Sequence, residues 1–584
     1  MKSFRILILL LAAVGFSTQS CKEDFLDYTP QGALSEDVLA NKTGVNSLLI
    51  GAYAALDGQG AYGGNISGGT AWATPPDNWI YGSEYGGEAH ANALATSIEA
   101  TNAFFNEKWK ADYAGVSRCN AVLRVVGKAT DMTDAEKNNV IGQARFLRGY
   151  FYSDLKKMFN KVPWIDENTT DFKQPNDKDI WPQIEADFKF GMDNMPETQK
   201  TAASANKWAS AAFLAKSYLY QKKYTEAKTL FDQVITSGKT ANGIAYDLHK
   251  EFEDNFRPEK EITSPEALFS VEMSANVGNG TIATGNQGTM LNFPINSPFR
   301  CCGNFMPSFD LVNSFRTNPE TGLPYLDDYN ANAIKSDMGV LSTQAFTPET
   351  GTVDPRLDWT AGRRGLPFKD WGLMPGQAWI RNQSATGPYV NLKNIYWKAT
   401  SDKYYDGIAW APGSAINYVI ITFSDVLLMA AETEAQLGNL EKAQTYVNRV
   451  RTRAANPSGF LYKYNDDAKP ESGFSKTPAA NYKIGIYPAG AFAAGGKTYA
   501  LKAIYFERKL ELAMQGHRFF DLVRWGIADK ELNTYYAYES KLVTEAVGMS
   551  FIPNKNEYYP IPQAQIDIST VNGKPTLIQN PGYK

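Results

Sequence analysis

Apolar and polar positions recur with a helical period most clearly in two stretches of this chain. Over residues 211–220 and 223–231, small and large apolar residues return at steps of three and four around a short polar turn, which predicts a helical hairpin. A second stretch, residues 426–432 and then 438–450, superposes on the first without gaps. Ala215 falls on Ala431, Tyr224 on Leu440, Ala227 on Ala443, Leu230 on Tyr446 and Val234 on Val450. Small residues where two antiparallel helices cross let the backbones approach while larger neighbours fill the flanks. That is the packing rule of tetratricopeptide-type hairpins. The same period predicts helices over residues 45–56, 98–126, 135–159, 180–192 and 500–525.

Between these helices lie long stretches without period. Residues 58–90 are rich in Gly and aromatics, residues 276–304 mix Gly, Asn and Pro, and a third stretch runs over 317–412. Loops this long in a compact domain are functional or disordered, and aromatic content of this kind argues against disorder. The fold class expected is mainly α: a tetratricopeptide-like helical-hairpin scaffold with long loop-rich insertions and few short strands.

The first residues have a different pattern. Lys2 and Arg5 precede an apolar run over residues 6–16, and small polar residues lead to Cys21. This reads as an export signal over residues 1–20, too short before it turns polar at Ser17 to cross a bilayer comfortably. A small residue, Ser20, directly before a lone cysteine is what bacterial lipoprotein processing requires. Cys21 is therefore the expected lipidation site, although Thr18 stands where such signals usually have Leu. Two or more acyl chains make such anchoring stable.

Composition narrows the function classes. With 58 Lys+Arg against 62 Asp+Glu, there is no basic field to attract nucleic acid and no acidic block of the disordered kind. Cys119, Cys301 and Cys302 are too few and badly spaced for a disulfide scaffold or a structural zinc site, though Cys301 and Cys302 could close a vicinal disulfide or stay as thiols. Gly58-Gln59-Gly60-Ala61-Tyr62-Gly63 has dinucleotide-loop spacing but lacks the strand before it and the helix after it. The stretch from Gly490 to Gly496-Lys497-Thr498 is one residue too long for a phosphate-cradling loop, and Thr498 reads better as a helix N-cap. His90, His249 and His517 are not paired at metal-ligand spacing, and there is no nucleophile elbow or zinc-helix motif. His517 reads as shaping a helix end. No catalytic residue, metal or cofactor is expected. A carboxylate pair of the glycosidase type is not excluded, since chance supplies such pairs among 62 acidic residues.

Several ordered motifs together resemble the SusD/RagB-like outer-membrane nutrient-binding lipoproteins. They are Cys21-Lys22-Glu23-Asp24-Phe25-Leu26-Asp27, then Arg145-Phe146-Leu147-Arg148-Gly149-Tyr150-Phe151-Tyr152 with Val162-Pro163-Trp164. A long late motif follows, Glu507-Arg508-Lys509-Leu510-Glu511-Leu512-Ala513-Met514 through Gly516-His517-Arg518-Phe519-Phe520-Asp521-Leu522-Val523-Arg524-Trp525-Gly526. The chain closes with Tyr559-Pro560-Ile561-Pro562 and Gln579-Asn580-Pro581-Gly582-Tyr583. Asn160-Lys161 before Val162 departs from the glycine commoner there. The resemblance runs nearly end to end and implies a non-enzymatic protein on the outer face of the outer membrane. Such a protein binds oligosaccharide and passes it to a TonB-dependent, SusC-like transporter; binders of peptides or other nutrients also fit. After the signal it implies an N-terminal region over 21–275 and a C-terminal one over 276–584, joined in one compact unit.

Within the late motif, Arg518 and Asp521 stand three apart and are expected to pair on one helix face as scaffold. Recognition would fall to aromatics, because the apolar face of a sugar stacks on indole or phenol while amide, carboxylate or guanidinium groups hold its hydroxyls. The first long stretch offers Trp72, Asp77, Asn78, Trp79, Tyr81 and Tyr85, and the later ones Asn292, Phe293, Phe299, Trp371 and Trp379.

Overall fold

The computed structural model describes residues 35–57, 98–277, 285, 292–300, 303, 306–408 and 413–584. Its scaffold is a run of antiparallel helices. α1 (Lys42–Ala54) lies on α2 (Ala103–Val126) and α3 (Asp134–Phe159); α4 (Trp181–Asn194), α5 (Lys207–Tyr220) and α6 (Tyr224–Ser237) then stack in order. The stack resumes with α7 (Phe423–Gln436), α8 (Leu440–Ala454) and α9 (Ala491–Glu511), and α6 packs directly on α7. Local chemistry sets the ends. Thr133 and Glu136 form a reciprocal capping box at the start of α3, and Asn206 and Thr422 accept from the backbone N–H groups of Ala209 and Asp425 at the starts of α5 and α7.

The two hairpins expected from the sequence are α5/α6 and α7/α8. Their four aligned alanines, Ala215, Ala227, Ala431 and Ala443, are all at 0 % exposure, as a close helix crossing requires. A short antiparallel pair stitches the blocks together: β1 (Ala267–Val271) bonds to β6 (Tyr418–Thr422), the strand that runs straight into α7. The other strands are small two-stranded ribbons, β2 (Ala361–Gly362) with β3 (Val390–Asn391), and β4 (Tyr405–Asp406) with β5 (Gly413–Ser414) among them. One large apolar core runs through the helical stack. Two smaller ones lie beneath the stretch after residue 290.

The helix expected over 500–525 is two helices. α9 ends at Glu511, the chain turns through Met514 (φ 62°) and Gly516 (φ 78°), and α10 (Arg518–Trp525) begins after His517, which is its N-cap residue. Gly526, at φ 72°, ends α10 in the left-handed conformation that glycine adopts without a Cβ penalty. α11 (Ala528–Glu539) follows. At the other end of α9, Gly496 (φ 76°, ψ 177°) breaks the helix. The break therefore falls before Lys497, and Thr498 is not the N-cap expected of it.

The late motif is a buried charge hub, and this replaces the expected Arg518–Asp521 pair. Asp521 accepts from Arg508 Nε and Arg524 Nε, each at 2.8 Å, while Arg518 turns to the Tyr505 carbonyl at 3.0 Å. Arg508 also reaches Asp425 of α7 at 2.7 Å, and Arg524 holds Glu432 of α7 with two bonds at 2.6 and 2.7 Å. On the opposite side of α9, Glu507 accepts from Arg356 at 2.8 Å and Arg451 at 2.6 Å. Glu511 accepts from Arg356 at 2.8 Å and also from Arg453. Lys509 meets Asp310 at 2.6 Å. These groups are buried, the Arg524 side chain at 5 % exposure, so each one depends on its partners: a lone buried charge costs several kcal/mol. α9 thereby ties the stretch containing Asp310 and Arg356 to the helical stack.

Candidate ligand-binding site

The second apolar core is aromatic, and its outer rings reach the surface. Phe299 sits in its middle, edge-on to Trp371 at 4.8 Å and Tyr396 at 5.6 Å between centroids, with Phe293 at 5.8 Å, Phe368 at 6.0 Å and Trp379 at 6.4 Å. Edge-to-face pairs of this kind add roughly 0.5–1.5 kcal/mol each beyond the area they bury. The Trp371 indole is fixed further by a bond from Nε1 to the Tyr396 carbonyl at 2.8 Å. The turn that presents it is a tight one: the Phe368 N–H bonds to the Gly372 carbonyl, the Trp371 N–H to the Phe368 carbonyl, and the Tyr464 hydroxyl to the Lys369 carbonyl. Lys369 takes a positive φ of 51° there and buries its ammonium against Glu253 at 3.1 Å.

Of the residues singled out in the sequence, the structure brings five together here. Trp371 and Trp379 are partly exposed. Phe293 and Phe299 are fully buried; Phe299 supports both indoles, and Phe293 packs on Phe299 and Tyr396. Asn292 is also fully buried, and neither atom of its side-chain amide has a hydrogen-bond partner. A buried amide without partners costs on the order of 1–3 kcal/mol. Trp72, Asp77, Asn78, Trp79, Tyr81 and Tyr85 lie outside the described residues, as do Cys21, Cys301 and Cys302.

Sequence reasoning missed the neighbours that complete this surface. Tyr396 and Trp397 follow each other in the third irregular stretch; Trp397 donates to Glu253 at 2.8 Å and lies under the Arg257 guanidinium at 5.2 Å. Tyr405 packs on Tyr396 at 6.0 Å, and the Asp406 carboxylate next to it accepts from the Gly285 N–H at 2.7 Å. Exposed Arg300 and Arg381 flank the same region. The signal that could have found them is the density of aromatics in residues 359–405, but periodicity does not say which of them share one base. What the arrangement can do chemically is offer flat apolar faces, flanked by guanidinium groups, to a ligand with both apolar and hydroxyl-bearing sides. Among the described residues there is no group of three or more His, Cys, Asp or Glu placed to hold a metal ion.

Two family models match the chain, one described as the SusD family over residues 265–583 and one as "Starch-binding associating with outer membrane" over residues 24–219. SusD-like protein P2 of Formosa agariphila is 22% identical over 617 aligned residues, covering 100% of both chains. Among solved structures, a SusD superfamily protein from Bacteroides vulgatus superposes with a TM-score of 0.62 at 19% identity, over 93% of this chain and 100% of that one. Surface glycan-binding protein A from Bacteroides thetaiotaomicron, in complex with laminarihexaose, superposes with a TM-score of 0.59 at 19% identity, over 92% of this chain and 99% of that one.

Proposed function

The chain belongs to the SusD family, and from that premise we propose that it is a cell-surface, glycan-binding lipoprotein that captures an oligosaccharide and delivers it to a TonB-dependent outer-membrane transporter. The observation that carries the reading is the pair of partly exposed indoles, Trp371 and Trp379, braced on the buried ring of Phe299. A braced indole gives a sugar ring a flat partner that pays no further ordering entropy on binding. The laminarihexaose held by one structural neighbour supports a glycan as ligand. The name of the N-terminal family model supports an outer-membrane setting.

In this reading no covalent chemistry takes place at the site. Cys21 carries the lipid, residues 1–20 are removed, and regions 21–275 and 276–584 work as one unit, which the β1–β6 pairing between them supports. Trp79 and Tyr81, with their neighbours Trp72, Asp77, Asn78 and Tyr85, add a second aromatic set to the same ligand.

The test is calorimetric titration of the mature protein with a panel of soluble polysaccharides and peptides. Binding to a glycan, weakened at least tenfold in the Trp371→Ala/Trp379→Ala variant, is expected. Unchanged affinity in that variant would move the site elsewhere, and binding confined to peptides would overturn the glycan assignment. Cys21→Ala should give a folded protein that binds in solution but no longer supports uptake. Normal growth of such a strain on the cognate nutrient would refute the tether.

A further inference from the structure

Away from the aromatic surface, a cavity of about 70 Å³ opens where α3, α5, β6 and α10 meet. One water needs roughly 10–15 Å³ of such space, so this void has room for a molecule of four or five heavy atoms. Tyr150, Trp181 and Phe213 make its apolar wall; the Asp154 carboxylate, Ser153 and Ser217 line it too, and Lys216, Lys157 and His517 are the groups that could face an anion.

Those three groups are not equally committed. Lys157 is held by the Asp154 carboxylate and lies 4.4 Å from the centre of the Phe520 ring. The Lys216 ammonium has a single carboxylate contact, to Asp425 at 3.3 Å, which leaves two of its three N–H bonds for another acceptor. The His517 ring lines the same void, and the charges that act on it are Asp425, Lys216, Arg508 and Asp521. An under-used ammonium and an imidazole facing one void make a place for an acceptor.

We propose that this cavity binds a small carboxylate, such as acetate or the carboxylate end of a short acid, held by Lys216 Nζ and the His517 ring. The charges around His517 are balanced without the ligand: Lys108 of α2, Lys157 of α3, Lys216 of α5, Arg508 of α9 and Arg524 of α10 stand against Asp112 of α2, Asp154 of α3, Asp425 and Glu432 of α7 and Asp521 of α10. Tyr220 of α5 stays neutral, its hydroxyl pushed up to about 12 by burial. An entering anion therefore adds one uncompensated negative charge, and His517 is the group that can answer it. Burial, with Lys216 and Arg508 working against Asp425, holds the empty site's imidazole neutral, down to about 3. A carboxylate beside the ring makes the imidazolium favourable, so binding takes up a proton and tightens toward acid pH.

The experiment is titration of the mature protein with sodium acetate, at constant ionic strength. Binding is followed by calorimetry in two buffers of different ionisation heat and by NMR of ¹³C-labelled histidine. The sequence has three histidines, so His517 is assignable by the His517→Asn variant. Expected are saturable binding about tenfold tighter at pH 6 than at pH 8, close to one proton taken up per acetate at pH 6, and a His517 resonance that moves to the imidazolium position as acetate saturates. Lys216→Met should abolish binding, while His517→Asn should bind weakly and without proton uptake. A His517 resonance in the unmodified protein that ignores saturating acetate would overturn the proposal, whatever the variants do. So would acetate binding unchanged by Lys216→Met.

Discussion

Glu539, near the end of α11, should make the protein lose stability as the pH rises toward mild alkali, and replacing it by glutamine should remove that loss. The side chain is at 0 % exposure; Oε1 accepts from the Asp310 N–H at 2.6 Å, and Oε2 has no hydrogen-bond partner. Burial raises its carboxyl above the ordinary 4.5 to about 8; the charge of Asp310 adds to the rise, and the Asp310 N–H and Lys509 oppose it. The folded state therefore keeps a proton that the unfolded chain gives up near pH 4.5. Stability from this group is complete below that pH and is lost as pH climbs through about 8. At ~1.4 kcal/mol per pH unit, the span amounts to at most ~5 kcal/mol. Glu539→Gln keeps the shape and the acceptor for the Asp310 N–H but cannot ionise. Urea unfolding of the mature chain at pH 5, 6.5, 8 and 9 should give nearly equal stabilities for the two proteins at pH 5, within ~1 kcal/mol. By pH 9 the variant should be ahead by ~3–5 kcal/mol. Two stability curves that stay parallel from pH 5 to 9 would refute the reasoning.

Other parts of the molecule give further expected outcomes. Arg356→Met leaves Glu507 and Glu511 each short of one of two arginines and should cost ~3–5 kcal/mol, read as a lowered urea midpoint. Adding Glu511→Gln to that variant should restore part of the loss, because the neutral amide no longer needs the guanidinium. Ala431→Leu puts a large side chain where α7 crosses its neighbours at 0 % exposure, and overpacking there should cost ~1–3 kcal/mol, whereas the same change at exposed Thr445 should cost under ~0.5 kcal/mol.

The helical stack was legible because its signal is local. The alanine spacing of residues 215, 227, 431 and 443 names both the hairpins and their crossing points, and the apolar period put most helix boundaries within a few residues of their places. The charge hub was not legible, because its pairs join residues far apart in the chain: Arg508 meets Asp425, and Arg356 meets Glu507. Sequence spacing alone favoured Arg518 with Asp521, but the turn through Met514 and Gly516 rotates α10 so that Asp521 faces Arg508. For the candidate surface the sequence pointed to aromatics in the long loops, yet composition does not tell a platform from its base. Trp371 and Phe299 read alike as aromatics in loops, and only the fold separates the partly exposed indole from the fully buried ring.

The position of the hub near the end of the chain sets an order on folding. Until α9 and α10 have been added, Arg451 has no carboxylate, Glu432 has no guanidinium, and Arg356 and Arg453 have one acidic partner each, Asp354 and Glu266. Those groups stay hydrated while they wait, which penalises early collapse of the stack they belong to. In the exported lipoprotein proposed above, residues 491–584 would act as a latch that closes the structure only once nearly all of the chain has been delivered to the far side.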